Sequence, residues 1–198
     1  MTNKLDFYYD CSSPWTYLAF EQLSRRKTEI DITWKPILVG GVFNTVNPSV
    51  YAVRENPVPA KQTYAHKDLL DWATQVGITI GSPDVFPVNS AKAMRGAIVA
   101  TGFGKVVEYS KQIFESYWER NVDISILLNL RSIVENVGLD WEDFSTKIEL
   151  SDYKDELRSN TTELVERGGF GSPTYFLNGD DMFFGNDRID LMFIKAGL

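Results

Sequence analysis

The side chains that could carry out chemistry are few in this chain of 198 residues. It contains one cysteine, Cys11, and one histidine, His66, so it can form no internal disulfide and no cysteine- or histidine-rich metal site. We therefore expect no metal cofactor. Cys11 is expected to be a small buried residue, with a redox-sensitive thiol as the alternative. His66 is expected at the surface, on the polar side of its helix.

A serine at the start of the first predicted helix is the first candidate. Ser13 precedes Pro14, and these residue types are favoured at the N-cap and at the first helical position. The simplest interpretation is a cap that contributes about 1 kcal/mol of stability. The functional alternative is an anion held by Ser13, because this position lies at the carboxyl end of a strand and at the positive end of the helix dipole.

Pro173 is the second candidate, between a glycine-rich turn and a predicted strand. It is either an ordinary edge-strand proline or a cis proline, which folded proteins contain in only about 5% of X–Pro bonds. In the second case the backbone N–H and C=O of Ser172 could pair with a peptide-like ligand in the manner of a strand.

The third candidate is the turn that precedes the last predicted helix. Phe184 and Gly185 lead into Asn186 and Asp187, and Gly185 allows close approach of the backbone to a ligand. A helix N-terminus binds carboxylates, and Asp187 could bind an ammonium group. An ordinary helix cap formed by Asn186 or Asp187 is the alternative.

The elements that position these residues follow the order βαβ, a block of helices, and ββα. Alternating and aromatic-rich segments predict four strands, and Asn178-Gly179 predicts a two-residue hairpin turn. The predicted strands are Leu5–Asp10, Ile30–Ile37, Thr174–Leu177 and Met182–Phe184. Helical periodicity follows Pro14 and recurs in six segments between 60 and 167, one of them capped by Asp123, and again after Asp187. Residues Gly40–Pro59, rich in glycine and proline, are predicted to form an irregular loop.

This order predicts an α/β protein with a thioredoxin-like fold and a large all-helical insertion. We assign residues 1–42 and 155–198 to the thioredoxin-like domain and residues 43–154 to the helical insertion domain. The parallel crossover between the first two strands is expected to be right-handed.

The stretch LDFYYDCSSPWTYLAFEQL resembles the active-site segment of Dsb-type thioredoxin-like oxidoreductases, which carry Cys-Pro-x-Cys at this point. Here the corresponding residues are Ser13-Pro14-Trp15-Thr16, so both redox cysteines are absent. Serine at the first position is typical of kappa-class glutathione transferases and 2-hydroxychromene-2-carboxylate isomerases. The segments Gly171–Thr174 and Phe183–Arg188 resemble the same families.

The resemblance implies glutathione as the cofactor, with its thiolate hydrogen-bonded to the Ser13 hydroxyl and its other parts held by Ser172, Pro173 and the turn from Phe184 to Asp187. Lys61 is expected to bind the glycyl carboxylate or an acidic substrate. The small-molecule substrate is expected to contact Phe43, Asn56 and Phe86, although these are equally residue types of a core or a loop.

Three functions remain open at this point. The first is a glutathione-dependent isomerase acting on an aromatic unsaturated pyruvate-type substrate. The second is a kappa-like glutathione transferase or peroxidase acting on small electrophiles. The third is a non-catalytic thioredoxin-like binding module.

Charge and hydropathy limit the partners. The chain has 20 Lys+Arg against 27 Asp+Glu, a net charge of −7, which argues against binding to nucleic acid or to an anionic membrane surface. The N-terminal segment does not match a secretory signal, and no apolar run approaches the ~20 residues of a membrane helix. We expect a cytoplasmic protein, and the resemblance implies a homodimer.

Overall fold

A computed structural model describes residues 3–198 of the chain. A four-stranded mixed sheet lies at its centre, with the strands in the order β2-β1-β3-β4. The strands are β1 (Lys4–Tyr9), β2 (Asp31–Pro36), β3 (Thr174–Leu177) and β4 (Asp181–Phe184). β1 is parallel to β2 and antiparallel to β3, which forms a hairpin with β4. The predicted thioredoxin-like arrangement is confirmed.

Helices cover the sheet and form the long segment between β2 and β3. They are α1 (Pro14–Arg25), α2 (Val39–Val46), α3 (Ser49–Glu55), α4 (Pro59–Val76), α5 (Ala91–Gly102), α6 (Val106–Phe114), α7 (Arg131–Asn136), α8 (Trp141–Lys147), α9 (Ser151–Glu166) and α10 (Ile189–Ala196). A π-helical turn, Glu115–Glu119, extends α6, and short 3₁₀ turns precede α7 and α10. Within residues 3–198 no helix is long and apolar enough to cross a membrane.

Strand β1 is covered on both of its faces toward its carboxyl end. Leu5, Phe7, Tyr8 and Tyr9 have no exposed surface, which is typical of a strand covered on both sides. The carboxyl end of β1 therefore lies inside the molecule, and the chain enters α1 from there.

The start of α1 is set by its capping residues. The Ser13 Oγ accepts a hydrogen bond from the Thr16 N–H at 3.3 Å, and Pro14 occupies the first turn. Along the helix Tyr17, Leu18 and Phe20 are buried. The expected β1–α1–β2 unit is thus present, with Ser13 at the end of β1.

The helical segment packs directly on the sheet half. Within the helical segment, Gly96 in α5 allows close packing against α6 and α8, because a Cβ there would lie 2.2 Å from the Tyr109 hydroxyl and 2.5 Å from the Phe144 ring. A single apolar core contains residues of both parts, from Phe7 in β1 to Ile148 after α8. The limits that we assigned to the two domains stay a prediction, since this shared core does not mark a boundary.

The prediction of an irregular loop over Gly40–Pro59 is wrong. Most of this segment forms α2 and α3, with a break at Asn47-Pro48. Val39 and Val42 anchor α2 in the core, and Gly41 lets it approach α9, where a Cβ would lie 3.2 Å from Thr161 Cγ2. Gly41 therefore serves helix packing, whereas a Cβ at Gly40 would meet open space.

Two predicted helix caps are also wrong. The Asp123 carboxylate accepts hydrogen bonds from the N–H and hydroxyl of Ser125, so it closes a local turn well before α7 begins at Arg131. Asn186 and Asp187 lie in a 3₁₀ turn, and α10 begins only at Ile189, without a side-chain cap. Short polar residues stabilise such turns as readily as helix starts.

The β3–β4 hairpin turns at Asn178-Gly179, but the prediction of a two-residue turn is wrong. Leu177 pairs with Asp181, so the loop has three residues. Asn178 and Gly179 have positive φ values of 50° and 110° within it. The Ser172–Pro173 bond that precedes β3 is cis, as is the Phe86–Pro87 bond before α5.

Candidate active site

A cavity of about 660 Å³ opens at the carboxyl end of β1. Its size is typical of a site for a small organic molecule. Ser13 and Trp15 from the start of α1 form one wall, with Ser172 from the segment before β3. The opposite wall comes from α2, α3 and the segment before α5. Aromatic side chains of both walls line it: Trp15, Phe43, Tyr51, Phe86, Phe170 and Phe184.

Ser13 is the hydroxyl that lies at the N-terminus of α1 and lines the cavity. Its Oγ accepts from the Thr16 N–H and donates to the Ser172 carbonyl at 3.5 Å. The second contact is at the limit of hydrogen-bond distance. The hydroxyl proton is therefore only weakly held by the protein, and it can be donated to an anion in the cavity.

Ser172 holds the segment before β3 against the start of α1. Its Oγ lies 2.9 Å from Thr16 Oγ1 and accepts a hydrogen bond from the Asp10 N–H at 3.2 Å. The residue is 8% exposed, and among residues 3–198 its backbone N–H has no acceptor. A buried unpaired donor is costly unless it binds something, so Ser172 has a free backbone group at the cavity.

Asp10 is a cavity residue that sequence reasoning did not select. It is 1% exposed, and its two carboxylate oxygens accept from the backbone N–H groups of Ser12 at 2.9 Å and Val39 at 2.8 Å. Burial raises the pKa of this carboxyl, and the two backbone donors partly offset the effect. Asp10 thus ties the end of β1 to the first turn of α2.

The predicted turn before α10 lies beside the cavity, and one of its residues enters the lining. Phe184 lines the cavity and packs on Phe170, with 4.6 Å between ring centroids. Gly185 has a φ of 101° and donates its N–H to the Pro173 carbonyl at 3.2 Å. Asn186 is buried, with its side-chain N–H₂ unpaired among the described residues, and Asp187 forms an ion pair with Arg188.

The four residues predicted on the substrate side separate into two groups. Phe43 in α2 and Phe86 before α5 both line the cavity. Asn56 and Lys61 are exposed and do not line it. They lie at the end of α3 and the beginning of α4, on a part of the chain that extends into solvent.

Arg54 is the basic residue of this wall that sequence reasoning missed. Its guanidinium carbon lies 5.7 Å from the ring centroid of Phe43 and 5.8 Å from that of Phe86, within the range of cation–π contacts. Val50 and Tyr51 line the cavity with it. The spacing Val50, Tyr51, Arg54 places all three on one face of a helix, a signal that was available but fell in the segment predicted as a loop.

Cys11 is part of the core. It is 1% exposed, its N–H donates to Met94 Sδ at 3.4 Å, and its carbonyl accepts from Trp118 Nε1 at 2.9 Å. Burial raises the pKa of its thiol well above the usual range. The expectation that Cys11 is a small buried residue is confirmed, as is the surface position of His66.

The chain is similar to known proteins over nearly its whole length. Residues 4–193 match the model of the DSBA-like thioredoxin domain. The 2-hydroxychromene-2-carboxylate isomerase of Pseudomonas putida is 30% identical over 95% of this chain and 91% of its own length. Rat glutathione S-transferase kappa 1 is 28% identical, over 98% and 90%. A solved structure of a 2-hydroxychromene-2-carboxylate isomerase matches with a TM-score of 0.82 and 25% identity, covering 98% of this chain and 94% of that one.

Proposed function

The chain belongs to the DsbA-like thioredoxin family, together with the 2-hydroxychromene-2-carboxylate isomerases, and from this premise we propose that it is a glutathione-dependent isomerase. Its substrate is an aromatic compound with an unsaturated pyruvate-type side chain. The observation that carries the proposal is the Ser13 hydroxyl, which lies at the N-terminus of α1 where the related oxidoreductases have a cysteine, and opens into an aromatic cavity.

Bound glutathione supplies the nucleophile of the reaction, a thiolate that is regenerated at the end of each turnover. A free thiol with a pKa of about 8.5 is only a few per cent ionised at pH 7, and lowering it by about two units requires about 2.7 kcal/mol. A Ser13 hydrogen bond to a charged group contributes about 1.5–3 kcal/mol and the α1 dipole about 0.3–1 kcal/mol. Together these two groups are sufficient.

The chain has groups that fit the rest of glutathione. The free N–H of Ser172, next to the cis Pro173, is suited to the backbone of the cysteinyl residue. We assign the γ-glutamyl group to the turn that follows Phe184, namely Gly185, Asn186 and Asp187. The glycyl carboxylate is assigned to Lys61, which requires the tripeptide to reach beyond the cavity.

The aromatic walls hold the substrate. Phe43 and Phe86 offer ring faces and edges to a planar substrate, an arrangement that contributes about 0.5–1.5 kcal/mol per aromatic pair. Ser13 keeps the sulfur at the α1 end of the cavity, so the unsaturated side chain must point toward that end. The residues thus orient the substrate and exclude water, and they need supply no nucleophile of their own.

The test is turnover with a small amount of glutathione. The proposal predicts that 2-hydroxychromene-2-carboxylate is converted to an equilibrium mixture that is also reached from the product side, with all glutathione recovered unchanged. A stable conjugate formed in proportion to the glutathione consumed would instead establish a transferase, which the similarity to rat glutathione S-transferase kappa 1 favours as the second candidate.

A binding measurement separates both enzymes from a non-catalytic module. Glutathione at 100 times its Kd stabilises a folded protein by about 2.7 kcal/mol, which appears as a raised melting temperature. No shift at millimolar glutathione would contradict the cofactor assignment and with it both enzymatic functions. The cytoplasmic location and the homodimer stay predictions, which cell fractionation and sedimentation of the purified protein test.

A further inference from the structure

The cavity is lined by a cation, Arg54, that forms no ion pair within residues 3–198. Eight of the nine arginines of the chain form ion pairs within residues 3–198, and Arg54 is the exception. This is unusual in a chain with 27 acidic against 20 basic residues. An exposed arginine that faces solvent alone needs no explanation, but Arg54 also lines the 660 Å³ cavity.

The position of Arg54 is set by two aromatic rings. Its guanidinium lies 5.7 Å from the Phe43 ring on α2 and 5.8 Å from the Phe86 ring on the segment before α5. The cation therefore lies close to both of the aromatic rings that we assign to the substrate. A substrate ring placed against Phe43 and Phe86 would bring a substituent on that ring within reach of the guanidinium.

The remaining charge in the cavity does not neutralise Arg54. Asp10 is the acidic residue of the lining, and both of its oxygens accept backbone hydrogen bonds, from Ser12 and Val39. The amides of Asn47 and Asn89, which also belong to the lining, carry no charge. A guanidinium with no protein partner, in a largely apolar cavity, is suited to the planar, two-oxygen geometry of a carboxylate.

We propose that Arg54 binds a carboxylate of the aromatic substrate, and that this residue makes the enzyme select aromatic acids over neutral aromatic compounds. The inference rests on the proposed function in that it concerns the acceptor side of the same cavity. Arg54, which belongs to the cavity lining, thus takes the role in binding an acidic substrate that was expected of Lys61, which lies outside the lining. Arg54 acts on binding and leaves the thiolate to Ser13.

The experiment compares two probes that differ in charge and by one methyl group, 4-chloro-3,5-dinitrobenzoate and its methyl ester. Their dissociation constants are measured by calorimetry without glutathione, so that the glutathione thiol is absent and cannot displace chloride. Arg54→Gln should weaken binding of the acid about tenfold and of the ester less than twofold. Arg54→Lys keeps the charge but loses the bidentate geometry, so its affinity for the acid should lie between those of the wild type and Arg54→Gln.

Two controls make the result specific. Lys27→Gln removes the same charge from an exposed residue remote from the cavity, and it should bind both probes as the wild type does. Raising NaCl from 50 to 500 mM should weaken binding of the acid to the wild type but not to Arg54→Gln, because the contact is screened. Equal effects of Arg54→Gln on both probes, or no effect on the acid, would overturn the inference.

The outcome is independent of the cofactor assignment. The melting-temperature shift caused by glutathione should be the same in Arg54→Gln and in the wild type. If glutathione gives no shift in either protein but the acid and ester are still discriminated through Arg54, the proposed function fails and the carboxylate site stands. If glutathione binds and the probes are not discriminated, the carboxylate site alone fails.

Discussion

The wall of the cavity that carries Ser13 and the wall that carries Arg54 differ in how firmly the fold holds them. Around Ser13, the side chains of Asp10, Thr16 and Ser172 are buried and joined by hydrogen bonds to one another or to the backbone. Around Arg54, α3 has no buried residue, and every residue from 51 to 67 is exposed. One wall is fixed by the core and the other is supported from one side only.

This difference fits the two tasks that we assign to the walls. Stabilising a thiolate requires a donor held within a few tenths of an ångström of its place, and buried hydrogen-bonded neighbours provide that. Side chains that select a substrate can change their positions when the substrate binds. We expect the wall that contains Ser13, called the firm wall, to carry the chemistry. The wall that contains Arg54, called the exposed wall, should contribute only to substrate binding.

The largest expected effect is that of Ser13→Ala. Loss of the hydroxyl removes most of the roughly 2.7 kcal/mol that ionises the thiol, so kcat/KM at pH 7 should fall about 100-fold. The lost cap costs about 1 kcal/mol of folding stability, seen by urea unfolding. Because activity depends on the thiolate, it is lost as the pH falls through the pKa of the bound thiol, and this acid limb should move to higher pH in the variant.

Ser12→Ala is the matched control for this experiment. Ser12 also lines the cavity, but the hydrogen bond that it makes to Asp10 comes from its backbone N–H. The substitution should therefore leave both the rate and the acid limb unchanged. If Ser12→Ala and Ser13→Ala have equal effects, or if Ser13→Ala changes KM alone, the firm wall does not hold the thiolate.

The sequence was informative where local structure follows from short-range patterns. Ser13-Pro14 at a strand-to-helix junction, Gly171–Thr174 at the entry to β3 and the site of the turn at Asn178-Gly179 are each defined by adjacent residues, and these positions were predicted correctly. The cavity then brings Ser13 and Ser172 together across more than 150 residues. A resemblance in both segments is what linked them in advance.

The sequence was less informative on the exposed wall. α3 has no buried residue, so its sequence lacks the hydrophobic periodicity that predicts a helix. Pro48 and Pro57, near its two ends, favour the prediction of a loop. Arg54 was missed for that reason. The role of Asp10 was missed because its partner Val39 lies 29 residues away, and the need for a carboxylate there arises only from the packing of α2.

The second prediction concerns the stability of the firm wall. In Asp10→Asn one oxygen is replaced by an NH₂ group facing a backbone N–H, which leaves a buried donor unpaired and costs about 1–3 kcal/mol in the free energy of unfolding. Val53→Ser on the exposed α3 should change it by less than about 0.5 kcal/mol. Urea unfolding curves measure both, and similar values for the two variants would contradict the contrast between the walls.

The stability lost in Asp10→Asn relative to the wild type should also depend on pH. Burial raises the pKa of Asp10 above the ordinary 3.8, so the folded protein holds this proton more tightly than the unfolded chain. The stability due to Asp10 is then fully present below the unfolded pKa and is lost as the pH rises through the folded pKa. Asp10→Asn cannot ionise, so its destabilisation relative to the wild type should be largest at acid pH and decrease above pH 3.8.

The smallest expected effect is that of Lys61→Gln. Lys61 is exposed at the beginning of α4, so a contact with the glycyl carboxylate of glutathione would be a surface ion pair, worth about 0.2–1 kcal/mol. Calorimetry should show glutathione binding weakened by about fivefold at most, with the difference vanishing at 500 mM NaCl. Lys27→Gln, equally exposed and far from the cavity, is the control.

A larger loss in Lys61→Gln would change the comparison between the walls. A tenfold weakening that persists at high salt requires a desolvated contact, because only exposed pairs are screened to that extent. Lys61 could reach such a contact only if α3 and the start of α4 closed over the cavity when glutathione binds. The exposed wall would then be an adjustable lid that becomes firm with the ligand, and Arg54, carried by the same segment, would be positioned by the cofactor as well as by Phe43 and Phe86.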